Sequence, residues 1–174
     1  ASYFVLPEII DTIQEAGPLV LSLALLVVLF TAIFLFRRAS GVGAVALTIG
    51  AGVLWLVGVM CGLDWKVNFF NIIAIPLLIG MGQDDALHVF HRYLDEGPGR
   101  LRRVVRETGG AIFLTTLTTC IGFSAILFAN HRGLQSLALV AVVGMICCLL
   151  ASVFVLPALL ALFERPVPPQ DEQR

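Results

Sequence analysis

Apolar positions along this chain fall into runs too long for the interior of a soluble helix, and each run is separated from the next by a few polar residues. The first runs from Pro18 to Phe36 and is closed by Arg37, Arg38 and the turn residues Ser40 and Gly41. The second is Val42 to Leu63, and a polar link at Asp64, Trp65 and Lys66 leads to the third, Val67 to His91. The fourth is Gly109 to Ala129, and the fifth, Leu134 to Phe163, follows the link Asn130 to Gly133. A helix of ~20 apolar residues spans the hydrocarbon core and satisfies its own backbone groups there. Between the third and fourth runs, Leu101, Val104 and Val105 stand opposite Arg100, Arg102, Arg103 and Arg106, the pattern of a short helix lying on an anionic membrane surface. The expected fold is all-α: a polytopic transmembrane helix bundle of five spans plus one short cytoplasmic amphipathic helix. Residues 1–17 place Leu6, Ile9, Ile10 and Ile13 opposite Glu8, Asp11 and Glu15, an amphipathic lead-in outside the membrane. Residues 18–163 form the membrane domain, and residues 164–174, with Pro166, Pro168 and Pro169, form a polar cytoplasmic tail.

Composition agrees with this pattern. The chain is 59% hydrophobic and 13% charged, against roughly 45–50% and 25% in soluble domains. The net charge of −1 carries little information, but its distribution does. Nine of the eleven cationic residues (Arg37, Arg38, Arg92, Arg100, Arg102, Arg103, Arg106, Arg165 and Arg174) fall on one side of the five-span topology, with Lys66 and Arg132 on the other. The positive-inside rule makes the first side cytoplasmic, the N-terminus extracytoplasmic and the C-terminus cytoplasmic. Cys61, Cys120, Cys147 and Cys148 lie in apolar runs without metal-ligand or disulfide spacing and read as small packing residues. Gly58 and Gly62, four apart, read as an ordinary packing face. The start at Ala1 suggests a segment of a longer protein.

Candidate chemistry is concentrated in the third run, where Asp84 and Asp85 interrupt otherwise apolar sequence. An ionised Asp at the centre of a bilayer costs at least ~2.5–3.5 kcal/mol, so it is expected to face protein, a partner or a water path. Two such acids side by side are not expected to be ionised together at neutral pH, because desolvation and mutual repulsion both favour the protonated form. Leu77, Gly80, Asp84, His88 and His91 share one helical stripe, on which Gly80 would admit a neighbouring helix close to Asp84. Asp85 lies about 100° further round, and Pro76 is expected to kink the helix upstream. In the fourth run, Thr115 and Thr119 share a stripe with Gly122. Their hydroxyls either serve the acids or a water file, or bond to carbonyls one turn back. His88 is either a relay one turn from Asp84 or a wet interfacial residue.

Two proteolytic mechanisms fit poorly. An intramembrane aspartyl protease needs a second acid on another span, and none is present; a rhomboid-type serine at Ser124 would sit at the opposite depth from His88. An enzyme is not expected.

Several motifs together resemble one membrane half of the resistance-nodulation-division (RND) superfamily. They are the stretch from Asn71 through Pro76 to Gly80-Met81-Gly82-Gln83-Asp84-Asp85, the arginine-rich link, Thr115-Thr-Leu-Thr-Thr-Cys-Ile-Gly-Phe123 and Leu156-Pro-Ala-Leu-Leu160. The nearest branch is that of the mycobacterial-type large membrane proteins (MMPL) and hopanoid transporters. The resemblance implies the second to sixth spans of a half, with residues 1–17 as the end of an extracytoplasmic porter domain and a bacterial inner-membrane location. It implies a proton-driven exporter of lipids or other hydrophobic molecules, with Asp84 and Asp85 as proton relay, supported by Gly80, Gly82, Thr115, Thr119 and His88. No cofactor is implied beyond protons as the coupling ion. The implied partners are membrane lipids, a hydrophobic or lipid substrate, the porter domain and the other half; a homo-oligomer is compatible and nucleic acid is not a partner. The alternatives in the same superfamily are a sterol-sensing or Patched-like lipid sensor and a protein-translocation auxiliary.

Overall fold

The computed structural model describes residues 39–65, 68–97 and 99–163, together with isolated positions between 18 and 30. Helix α1 is Ala39–Gly62 and α2 is Phe69–Glu96, which runs through Pro76. Helix α3 is Leu101–Ile126 and α4 is Arg132–Leu150. A π-helical turn, Ala151–Val155, then joins α4 to α5, Leu156–Phe163, so that α4 and α5 form one rod. The wider turn immediately precedes Pro157 and makes room for its ring and its missing N–H. Ser152, within the turn, is buried, and its hydroxyl has no hydrogen-bond partner among the described residues.

The expectation of five spans plus a separate amphipathic helix is not met. Among the described residues there are four helical rods, of which three are long and apolar enough to cross a membrane: Gly41–Gly62, Leu101–Ile126 and Arg132–Leu162. The expected third span forms as α2, but Asn71, Gln83, Asp84 and Asp85 dilute its apolar character. The expected amphipathic helix is the opening of α3. Gly109 and Gly110 weaken a helix but, unlike Pro, leave its hydrogen bonds intact, so Arg102 and Thr116 belong to one rod. Residues 1–17 and 164–174, and most of the first apolar run, lie outside the described residues.

Helix α2 packs against α1, α3 and α4, and small residues set the spacing. Cys148 of α4 presses on two glycines: a Cβ at Gly82 would stand 2.8 Å from its sulfur, and one at Gly52 3.0 Å. Gly144 of α4 likewise receives the side chain of Leu78. Gly58 and Gly62, by contrast, meet nothing within 4 Å, so the packing face expected there is not used among the described residues. At its start, α2 is fixed to α4 by polar contacts. Asn68 Nδ2 donates to Ser136 Oγ at 2.8 Å, and Ser136 Oγ donates to Asn71 Oδ1 at 2.7 Å. Asp64, in the turn after α1, takes a left-handed φ of 52°.

Candidate functional site

A cavity of about 470 Å³ lies between α2, α3 and α4, lined by Asp84, Asp85 and His88 of α2, Thr115, Thr116 and Thr119 of α3, and Met145 and Cys148 of α4. The two acids differ in surroundings. Asp85 is half-buried, and the hydroxyl of Thr116 donates to its Oδ2 at 3.2 Å. Asp84 is exposed, together with Leu77, Gly80, His88 and His91. The stripe read from the sequence is therefore one face of α2, and it is an open face among the described residues.

The supporting residues divide in the same way. Gly82 is buried and lets α2 approach Cys148, whereas a side chain at Gly80 would meet nothing, so the close approach expected there is absent among the described residues. Thr115 and Thr119 line the cavity, yet their hydroxyls donate to Ile112 O and Thr115 O of their own helix, both at 2.9 Å. His88 lines the cavity from the exposed side.

Thr116, the residue bonded to Asp85, was not distinguished from its neighbours by the spacing argument. The signal was the register of α3: Ile112, Thr116 and Cys120 recur every four residues, and all three are buried. The apolar residues on either side thus show which hydroxyl of the threonine run faces the bundle. Thr116 also lines a second, apolar cavity of about 510 Å³ between α3 and the α4–α5 rod. Among the described residues no cluster of three or more His, Cys, Asp or Glu could hold a metal ion.

At the end of the bundle beyond the acids, α2 and α3 are joined by ion pairs. Arg92 Nη2 bridges Glu96 Oε1 at 2.9 Å and Glu107 Oε2 at 2.8 Å. Arg103 Nε meets Glu107 Oε1 at 2.8 Å, and Arg100 Nη1 meets Glu96 Oε2 at 3.5 Å. All of these except Glu96 are substantially exposed, so solvent and salt screen the pairs and each adds little to stability.

Comparison with known proteins agrees with this architecture. The chain is 28% identical over 165 residues to the protein MJ1562 of Methanocaldococcus jannaschii, covering 91% of this chain and 42% of that protein. It is 26% identical over 147 residues to protein dispatched homolog 3 of Mus musculus, covering 82% of this chain and 11% of that protein. It is 25% identical over 159 residues to the hopanoid transporter HpnN of Burkholderia multivorans, covering 87% of this chain and 18% of that protein. The chain thus spans less than half the length of each of these relatives. No solved structure matches it. The MMPL family matches residues 58–174, a range that takes in α2, its acid pair, Thr116 and the α4–α5 rod; the chain is a multi-pass membrane protein of the MMPL family, within the RND superfamily.

Proposed function

We propose that this chain is membrane-domain sequence of a proton-driven exporter of lipids or other hydrophobic molecules, in which Asp84 and Asp85 carry the coupling proton. The observation that carries the reading is the asymmetric acid pair. One carboxylate is held by a buried threonine hydroxyl, and its neighbour opens onto a cavity between helices. Such a pair can accept a proton on Asp84 and share it with Asp85, and the Thr116 hydrogen bond strengthens when Asp85 is charged and weakens when it is neutral. Helices α2 and α3 then have two preferred spacings. Each charge crossing the membrane supplies ~2.3 kcal/mol per 100 mV, enough to select between them.

Membership of the MMPL family and similarity to a hopanoid transporter support the substrate class. The exposed Asp84 stripe supports a second membrane half as its cover, since a carboxylate facing lipid is costly. A porter domain, an inner-membrane location and the arginine-rich end in the cytoplasm complete the proposal. Gly80, Gly82, Thr115, Thr119 and His88 act as support, with Thr116 as the direct partner.

The test is proton flux in vesicles containing the full-length protein. Asp84→Asn is expected to abolish substrate-dependent proton flux without loss of membrane insertion. Unchanged flux in that variant refutes the relay. A wild type that binds lipid without moving protons favours the sensor reading.

A further inference from the structure

The arginines near the start of α3 fall into two groups. Arg92, Arg100 and Arg103 pair with Glu96 and Glu107. Arg102 and Arg106 are exposed and, among the described residues, pair with no carboxylate. Four residues apart, they stand one turn above each other, about 5–6 Å between Cβ atoms, a spacing that one phosphate group bridges.

The same face of α3 continues downward as an apolar trough. Val105, Gly109, Phe113 and Leu117 line one wall of the 510 Å³ cavity, and Leu150 and Phe154 line the other. Phe113 and Phe154 are 56% and 64% exposed, so the trough is open to its surroundings rather than sealed in the core. Gly109 leaves its floor clear, since a Cβ there would meet no atom within 4 Å.

We infer that this trough is a binding site for one anionic phospholipid, with the headgroup phosphate on Arg102 and Arg106 and an acyl chain along α3 toward Thr116. Two uncompensated cations at the mouth of an apolar groove match an amphiphile with a negative head. An apolar helix docked there would leave both guanidinium groups without a counter-charge. A zwitterionic headgroup would meet the cations with no net charge of its own. The site does not depend on proton transport, and the acid pair plays no part in it.

The experiment is native mass spectrometry of the full-length protein in detergent, mixed with equal amounts of dioleoyl phosphatidylglycerol and dioleoyl phosphatidylcholine. Wild type is expected to retain one phosphatidylglycerol in preference. Each arginine removed should cost roughly fivefold and the R102Q/R106Q pair about 30-fold. Gly109→Leu, which fills the trough from its open side, should lower retention of both lipids at unchanged thermal stability, while Arg132→Gln should change nothing. Equal retention of both lipids by wild type, or preference surviving R102Q/R106Q, overturns the inference. So does undiminished retention in Gly109→Leu, which removes the chain from the trough. Displacement by glycerol phosphate alone would show a free-anion site, and absence of any lipid on wild type would show that protein covers the trough; either result also overturns it.

Discussion

The two long faces of α2 share a leucine and a glycine at helical spacing and are opposite in burial. One carries Ala74, Leu78, Gly82, Ala86 and Val89, all buried; the other carries Leu77, Gly80, Asp84, His88 and His91, all exposed. Each has a glycine about one turn and a leucine about two turns before an acid, Gly82 and Leu78 before the half-buried Asp85, Gly80 and Leu77 before Asp84. The buried face interlocks with α4, Gly82 receiving Cys148 and Leu78 seating against Gly144. The exposed face has the same kind of notch, at Gly80, with nothing in it among the described residues. A small residue therefore marks a close approach only where a complementary surface is present in the same chain.

Paired substitutions across the two faces sharpen that contrast. The largest difference is expected for leucine. Leu78→Ala should cost about 2–5 kcal/mol of stability, because it removes a fully buried side chain seated in the Gly144 notch. Leu77→Ala should stay within about 0.5 kcal/mol. Unfolding in the same detergent measures both, and equal losses would mean that α2 is rotated from the orientation described.

Glycine gives the next largest effect. Gly82→Val should destabilise by about 1–3 kcal/mol, since it drives carbon into Cys148, whereas Gly80→Val should cost less than about 1 kcal/mol. A severe loss from Gly80→Val in the full-length protein, but not in the isolated segment, would identify that face as an interface. The smallest contrast lies on α3. Thr116→Val removes the donor to Asp85 and should cost about 1 kcal/mol. Thr115→Val, whose hydroxyl serves only its own helix, should be near neutral. If the Thr115 variant proves the more harmful in unfolding or in proton flux, the roles assigned to the two hydroxyls are reversed.

Much of this was legible in the sequence. The all-helical character followed from the apolar runs, and the acid pair followed from its incongruity within one of them. The stripe of five residues on α2 is a single face, as helical spacing implies. Which way that face points was not readable, because α2 carries small or polar residues on both sides and the choice is made by Cys148 and Leu78 across the contact with α4. Thr116 was hidden by its neighbours, since a run with four threonines in five positions puts hydroxyls on every side of a helix. The break expected between the arginine-rich link and the fourth run rested on the change from an amphipathic to an apolar pattern, which falls at Gly109 and Gly110 without interrupting the helix. Glycine raises the cost of a helix without preventing it.

That unbroken helix has a mechanical consequence. From Arg103 to Thr116 is thirteen residues of continuous α3, about 20 Å at 1.5 Å per residue, and a helix of that length does not telescope. Any displacement that carries the Thr116 hydroxyl away from Asp85 must therefore appear, as translation or tilt, at the guanidinium end of the same lever. The Arg92–Glu107 contact, exposed and weakly held, yields at little cost, and so a chemical event among the helices would be legible as a loosened charge pair at the edge of the water.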